Sequence, residues 1–283
     1  MKNILRVSIN ISMLFLIACL PSLFKTQHFS LANYIIAVKE TALAIFNPAD
    51  IVFVNQRSGT AYNLFPFILE PWFNTLTILV SAIFLSLLLS LVLMFLMYRY
   101  QWAEKIIYAV NNCLSIIPDI FYIPISITMV ILIYQYTGML LFEIATSQSS
   151  NAVAFPVLVL LIIPTVNSVT LLYELMKNEK KNMYVEFAIS KGLSDFEVFR
   201  RHILNNLMLG YLINLKQLIW ITLSSLLFLE RIMNIFGVSV FIFDYNSPIV
   251  LFITFMMLYI PIALLFSAAG YIVNRMTGRR MAE

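Results

Sequence analysis

Five ionisable residues lie in or beside long apolar stretches of this sequence, and they are the side chains best placed to bind a polar solute. They are Asp119, Glu174, Lys216, Glu230 and Asp244. A charge removed from water is strongly destabilising unless it is paired or hydrogen-bonded. Each of these residues must therefore face water, a ligand or a partner group.

Lys216, flanked by Asn214 and Gln217, is the most deeply placed of the five. Two interpretations are open. Lys216 lines a path for a solute and meets a carboxylate or another anionic group, or it forms a structural ion pair or a hydrogen-bonded interface. Asp119, directly after Pro118, is a second candidate for such a path, although its position also suits the edge of an apolar segment.

Catalytic and metal-binding chemistry is poorly supported by the remaining residue types. The two cysteines, Cys19 and Cys113, lack metal-type spacing, and His28 and His202 are the only histidines. No Gly-x-x-x-x-Gly-Lys-Ser/Thr phosphate loop occurs, and no nucleophile–base arrangement stands out. The sequence predicts no catalytic residue, no metal site and no cofactor of its own.

The composition requires a lipid environment. Hydrophobic residues make up 61% of the 283 residues and charged residues 11%, with a mean hydropathy of +0.90. A soluble domain carries about 25% charged residues. The net charge of +4 is spread over short segments between apolar runs, so nucleic-acid binding is not expected.

Six apolar segments approach the length of about 20 residues that a membrane-spanning helix requires. They run over Val7–Phe24, Trp72–Tyr98, Leu114–Tyr136, Ala152–Tyr173, Leu207–Leu229 and Pro248–Val273. The predicted fold is an all-α, multi-pass membrane protein with six transmembrane helices.

Lysine and arginine predict the orientation. With a cytoplasmic N-terminus, only four of these 18 residues fall outside, namely Lys25, Lys39, Arg57 and Arg231. Thirteen fall inside, and Lys216 remains within the fifth segment. Cytoplasmic loops carry such an excess, so both termini are expected in the cytoplasm.

The chain divides by function into two predicted parts. Residues 1–71 form the first helix and a long extracellular loop, and residues 72–283 form the core with a polar inner loop at 177–206. An alternative treats residues 1–19 as a lipoprotein signal with Cys19 as the lipidated residue. Cleavage there would leave the other five helices in the same orientation.

The inner loop contains the most informative stretch, Met183 to Asn206. Tyr184, Phe187 and Ala188 recur at helical spacing and are expected to share one face. Gly192 then ends the first short helix, because glycine adopts the left-handed conformation without steric cost. A short helix that ends in such a turn suits either docking of a partner or an amphipathic connector on the membrane surface.

The second short helix begins after Ser194. Ser194 and Glu197 form a predicted capping box, in which each side chain bonds the backbone amide of the other residue. Phe196, Phe199 and Ile203 are the expected apolar stripe of this helix.

The pattern Glu186-x-Ala188-x-x-x-Gly192 resembles the EAA loop of binding-protein-dependent ABC importer permeases. The longer match, Ala188-x-x-Lys191-Gly192-Leu193-Ser194 and then Arg201-His202-x-x-x-Asn206, resembles the dipeptide/oligopeptide/nickel branch. The resemblance implies that this loop contacts a cytoplasmic ATPase. The loop residues it implicates are Glu186, Ala188, Gly192, Leu193, Ser194, His202 and Asn206.

Weaker matches extend the resemblance over about residues 72–273. They are Asn74-Thr75-Leu76, Ile117-Pro118-Asp119, Glu230 with Phe236-Gly237, and Pro248-Ile249-Val250. The sequence departs from the family where Phe187 replaces the second alanine, and where a Pro-Gly-Asp-Pro element and a terminal Asp-Pro-Arg are absent. Only seven glycines occur. These departures indicate a divergent branch.

The resemblance implies a permease subunit of a bacterial inner membrane that imports peptides or related small solutes. Its implied partners are cytoplasmic subunits that bind the ATP, a second permease subunit, identical or homologous, and an extracellular or periplasmic substrate-binding protein. Glu230 and Asp244 bracket an outer turn that either contacts this binding protein or is simply solvated. The rival functions are an ion-coupled secondary transporter and a non-transporting scaffold or sensor.

Overall fold

The structure is a computed structural model that describes residues 2–24, 29–47, 51–54, 59–139, 142–143, 153–245 and 247–277. Almost all of the described chain is helical. The helices before the inner loop are α1 Lys2–Cys19, α2 Leu31–Ala44, α3 Leu64–Phe67, α4 Leu69–Arg99, α5 Gln101–Ile116, α6 Tyr122–Thr137, α7 Ala154–Leu160 and α8 Ile162–Glu179. The helices that follow are α9 Met183–Ser190, α10 Asp195–Val198, α11 Leu204–Ile232, α12 Ser239–Phe243 and α13 Pro248–Thr277.

Short irregular elements join some of these helices. One 3₁₀ turn, Leu20–Phe24, extends α1, and another, Asp119–Phe121, precedes α6. A π-helical turn, Phe199–Ile203, joins α10 to α11. The strands β1 Val52–Val54 and β2 Ala61–Asn63 form an antiparallel hairpin, with Phe53 opposite Tyr62.

The described residues contain six helical segments long and apolar enough to cross a membrane, which confirms the predicted fold class. They are Val7–Phe24, Leu69–Arg99, Asp119–Thr137, Ala154–Glu179, Asp195–Ile232 and Pro248–Thr277. Each overlaps one predicted segment. Several are longer than predicted, because a helix continues into polar residues after its apolar run has ended.

The third segment begins later than the sequence suggested. Residues 114–136 were expected to form one helix, but α5 ends at Ile116 and Ile117 is extended, with φ −77° and ψ 123°. Pro118 causes this break, since its ring disfavours the α conformation in the preceding residue.

The upstream helix α5 is amphipathic and was not predicted. It packs its Asn111 side against α8, where the Asn111 amide donates to Thr170 Oγ1 at 2.8 Å. Three further elements were missed inside the expected extracellular loop, namely α2, the β1–β2 hairpin and α3.

The chain forms two compact units. One contains Met1–Thr75 and Phe236–Leu264, and the other contains Leu76–Ile235 and Leu265–Glu283. Helices α4 and α13 each contribute residues to both units. The predicted functional division between residues 71 and 72 is a different kind of boundary and stays a prediction.

The first unit has an aromatic core. Phe53 packs within 6 Å of several rings, each measured between ring centroids, and it is almost fully buried. These rings belong to Tyr62, Phe67, Phe241 and Tyr245.

The second unit is organised around α8 and α11. A Cβ added to Gly210 of α11 would lie 2.2 Å from Leu175 Cδ1 of α8, so the side chain of Leu175 occupies the space that glycine leaves. The core continues toward the inner loop through Met94 and Met97 of α4 and through Val198 and Ile203, all of which are buried.

Candidate functional site: the loop between the fourth and fifth spans

The turn at Gly192 has the predicted conformation. Helix α9 ends at Ser190, and Gly192 has a φ of +81°. The Gly192 amide donates to the Ile189 carbonyl at 2.9 Å, and the Leu193 amide donates to the Ala188 carbonyl at 3.4 Å. These bonds close the end of α9 and direct the chain into α10.

The capping box at Ser194 is confirmed. The Glu197 amide donates to Ser194 Oγ at 3.4 Å, and the Ser194 amide donates to Glu197 Oε2 at 3.1 Å. The two reciprocal bonds satisfy backbone donors that the start of a helix leaves open. They hold α10 at a defined angle to α9 even though α10 has only four residues.

The face of α9 that packs inward differs from the predicted one. Val185 and Ala188 are buried, whereas Tyr184 is 41% exposed and Phe187 is 62% exposed. Tyr184, Phe187 and Ala188 therefore do not form one packed face. Helical spacing alone allows either choice, and the burial of Val185 in the same core as Val198 decides between them.

Buried side chains also fix the second half of the loop. Val198, Phe199 and Ile203 are all inaccessible or nearly so, and the Phe199 ring lies 5.3 Å from that of Phe95 on α4. The expected stripe is confirmed for Phe199 and Ile203. Phe196 departs from it, because this ring is 56% exposed while one edge contacts Phe95 at 5.6 Å between centroids.

A polar cluster surrounds Tyr184, a residue to which the sequence assigned only an apolar role. Its hydroxyl bonds the Glu179 carboxylate and accepts from the Asn206 amide at 3.1 Å. His202 lies against the same ring, with 5.9 Å between ring centroids. Desolvation, aided by the hydrogen bond to Glu179, raises the pKa of Tyr184. The predicted residues His202 and Asn206 thus meet at Tyr184.

Two contacts connect the loop region to the C-terminal end of α4. Arg99, the last residue of α4, forms an ion pair with Asp195 at the start of α10. Lys180 lies over the ring of Tyr98, with its Nζ 4.9 Å from the ring centroid. Desolvation lowers the pKa of Lys180, against the opposing charge of Glu104.

Four apolar side chains of the two short helices are exposed, and we call this set the apolar loop surface. They are Met183 (87% exposed), Phe187 (62%), Ile189 (51%) and Phe196 (56%). Glu186 is exposed beside them, and Lys191 Nζ lies 4.3 Å from the centroid of the Phe187 ring. Sequence reasoning missed Met183 and Ile189. Met183 lies on the side of α9 opposite Val185 and Ala188, whereas Ile189, four residues after Val185, lies at the edge of their face.

The candidates for a solute path lie elsewhere in the same unit. Asp119 lines a cavity of about 400 Å³ whose other lining residues are Ile120, Trp220, Ile221, Ser224, Ser225 and Phe228. It therefore lies opposite the second half of α11, and it is also the first residue of the third candidate span, Asp119–Thr137. Lys216 does not line this cavity, but it is exposed one helical turn before Trp220. Their role in transport stays a prediction.

A family model described as the binding-protein-dependent transport system inner membrane component matches residues 82–282. The chain belongs to this family. As an ABC importer permease it is a multi-pass membrane transport component, and the match includes the whole of α9 and α10 as well as Asp119 and Lys216. No curated protein matches the chain. The resemblance to the permease family is thereby confirmed, while the peptide/nickel branch and the cytoplasmic position of the termini stay predictions.

Proposed function

We propose that this permease forms half of the translocation pathway of an ATP-driven importer for peptides or related small solutes. A second permease subunit, identical or homologous, completes the pathway. Separate cytoplasmic subunits bind and hydrolyse the ATP, and a substrate-binding protein delivers the solute. The observation that supports the proposal most strongly is the apolar loop surface. The two short helices that carry it are held in place by buried side chains, namely Val185, Val198 and Ile203.

The structure of the loop favours the transmission of a displacement from a bound partner to the helices. Gly192 closes the turn, the Ser194–Glu197 capping box sets the angle of α10, and Val185, Val198 and Ile203 hold the loop in the core. Packed cores respond to force as rigid bodies with small shifts, so a displacement of the loop moves the helices attached to it. The π-helical turn connects α10 directly to α11, and such turns are frequent at functional sites.

The apolar loop surface suits a groove on a partner protein. Two short helices with apolar side chains at their outer rim match the general pattern of helix-in-groove recognition. Lone apolar side chains are ordinary on a surface, but four on two short helices joined by one turn favour an interaction site. The family membership implies an ATP-binding subunit as this partner, on the side of the membrane that is predicted to be cytoplasmic.

The solute path is proposed along the exposed face of α11. Lys216, Trp220, Ser224 and Phe228 recur every four residues, so they lie in one row, and all four are exposed on the isolated chain. A lysine in such a row faces water or a partner rather than acyl chains. A peptide carries a carboxylate and an ammonium group, which Lys216 and Asp119 are suited to meet.

The proposal is tested by purifying the tagged permease with its partners in mild detergent and by measuring ATP-dependent peptide uptake in reconstituted vesicles. Phe187→Glu places a charge in the apolar loop surface and is expected to remove the ATP-binding subunit and uptake together. Trp102→Glu is the matched control, because Trp102 is also exposed (65%) and lies on the side predicted to be cytoplasmic.

The expected result is loss of the ATP-binding subunit in Phe187→Glu with normal retention in Trp102→Glu. Equal retention in both variants would remove the docking role of the loop. Absence of any ATP-binding subunit from the unaltered complex would favour the scaffold interpretation. Uptake of another solute class with no uptake of peptides would leave the coupling role intact and overturn the substrate assignment.

A further inference from the structure

Helix α2 begins next to the end of the first membrane span. The Ser30 amide donates to the Leu23 carbonyl at 3.0 Å, and Ser30 Oγ accepts from the Asn33 amide at 3.4 Å. Ser30 therefore caps the new helix at the level of Leu23.

Two side chains then hold α2 against α1. The Tyr34 hydroxyl donates to the Leu16 carbonyl at 3.2 Å, and the Cys19 thiol lies 3.9 Å from Thr41 Oγ1. Both contacts fall inside the span Val7–Phe24. At a rise of about 1.5–2.0 Å per residue, Cys19 lies roughly 7–10 Å from Phe24 along the axis. Helix α2 therefore lies beside the last turns of the span and not beyond them.

The side of α2 that faces away from α1 is also apolar. Ala37 and Thr41 are buried toward α1, and large side chains are exposed on the remaining surface. These are Leu31 (62% exposed), Ile35 (67%), Ile36 (52%) and Leu43 (62%), and Phe46 (82%) follows the helix. A helix in water presents mostly polar residues on its outer face, whereas the exposed residues of α2 are mainly apolar, with Lys39 and Glu40 as the charged exceptions.

The exposed face of α2 continues the exposed face of α1. On α1 and its 3₁₀ extension, Leu16, Ile17, Leu20 and Phe24 are each 46–64% exposed. The rings of Phe24 and Phe29 lie 5.9 Å apart between centroids and join the two faces. In a helix that crosses the membrane, exposed side chains of this kind are covered by acyl chains.

We propose that α2 is an interfacial helix that binds the lipid surface in the leaflet at the Phe24 end of α1. Its depth of roughly 7–10 Å matches the burial of about 5–10 Å that is typical of such helices. Lys39, exposed on the outer face of α2, extends its ammonium group to lipid phosphates while its stem stays among the acyl chains. Residues 31–44 thus belong to the membrane-bound part of the protein and not to a soluble loop.

This placement is tested with nitroxide spin labels on the full-length permease in nanodiscs of phosphatidylethanolamine and phosphatidylglycerol, with its partner subunits present. In a Cys19→Ala, Cys113→Ser background, single labels are attached after Ile35→Cys and Leu43→Cys. Ile17→Cys on α1 is the lipid reference. Val54→Cys on β1 is the aqueous reference, because Val54 is 55% exposed in the hairpin.

The labels at residues 35 and 43 are expected to behave like the label at residue 17, with high collision rates with oxygen. Their collision rates with a water-soluble nickel chelate should be several-fold lower than at residue 54. Nickel accessibility equal to that at residue 54 would overturn the proposal. Immobile labels shielded from both reagents would also overturn it, because they would show that a protein partner covers this face.

Discussion

Arg99, the last residue of α4, forms an ion pair with Asp195, the first residue of α10. The pair links the C-terminal end of the second span to the loop between the fourth and fifth spans. The two side chains are 47% and 41% exposed, so solvent screens them and their contribution to stability is small, about 0–1 kcal/mol. We infer that the pair, together with the contact between the rings of Phe95 and Phe199, couples the position of α4 to that of α10.

Reversal of one charge should therefore impair transport more than folding. Arg99→Glu places two carboxylates together, and we expect a clear loss of ATP-dependent uptake with little change in the unfolding temperature of the purified complex. The double variant Arg99→Glu/Asp195→Arg restores the attraction and should recover part of the activity. Recovery is partial because a positive charge at the first turn of α10 opposes the helix dipole.

Uptake per ATP hydrolysed measures the coupling in both variants. If the two charges act independently, the losses of uptake caused by the two substitutions should add in the double variant. If they act as an ion pair, the double variant should recover uptake relative to Arg99→Glu. An activity of the double variant below that of Arg99→Glu would rule out the linkage.

The left-handed turn at Gly192 provides a second prediction with a matched control. A residue with a Cβ is disfavoured there by about 1–2 kcal/mol, and a β-branched residue is less favourable still. An added Cβ would meet nothing within 4 Å, so only the backbone conformation is affected. Gly192→Val should abolish uptake while membrane insertion stays normal, whereas Gly192→Asn should retain much of the uptake because asparagine tolerates positive φ.

Membrane insertion of the Gly192 variants is checked by their yield in the membrane fraction, and coupling is checked by co-purification of the ATP-binding subunit. Similar uptake in the valine and asparagine variants would show that the conformation of this turn is unimportant for transport.

The first residues of α4 form hydrogen bonds with the segment that follows α11, and these bonds could not be predicted from the sequence. The Val238 backbone amide donates to Thr75 Oγ1 at 3.0 Å, and the Asn74 side-chain amide donates to the Phe236 carbonyl at 3.0 Å. Thr75 and Val238 are both fully buried. Thr75→Val should therefore destabilise the fold by about 1–3 kcal/mol, the cost of an unsatisfied buried amide.

Thr75→Ser retains the hydroxyl and is the control for the loss observed in Thr75→Val. The free energy of unfolding, measured by tryptophan fluorescence during denaturation in detergent, should fall less in Thr75→Ser than in Thr75→Val. Equal losses would mean that the methyl group of Thr75 contributes as much as its hydroxyl, and no loss in Thr75→Val would show that the hydroxyl does not contribute to stability.

Substitution of Lys216 distinguishes a role of this side chain in transport from a structural role. Loss of a charge-assisted hydrogen bond to the solute is worth about 1.5–3 kcal/mol, so Lys216→Met should raise the half-saturating concentration for peptide uptake at least about tenfold. Lys216→Arg keeps the charge and should change it less. Unchanged uptake with normal expression in Lys216→Met would exclude Lys216 from the path.

The sequence by itself determines the properties that depend on local composition. Membrane crossing requires only sufficient apolar length, so all six spans were predicted from segments such as Val7–Phe24 and Pro248–Val273. The Gly192 turn and the Ser194–Glu197 capping box were equally predictable, because both depend on residues within three positions of each other.

Only the tertiary structure decides which surfaces are covered. It selects Val185 and Ala188 as the packed face of α9 and leaves Phe187 outside. It also brings Asn74 to Phe236, 162 residues along the chain.

Helix α2 shows the same dependence on distant contacts. Its sequence is apolar on most sides, and its position beside the last turns of α1 follows from the bonds of Ser30 and Tyr34 to carbonyl groups of Leu23 and Leu16. Residues far apart in sequence meet only when the helices that hold them have packed. Spacing within one segment therefore predicts that a helix forms, and the packing of its neighbours determines which of its faces remains available for lipid, solute or partner.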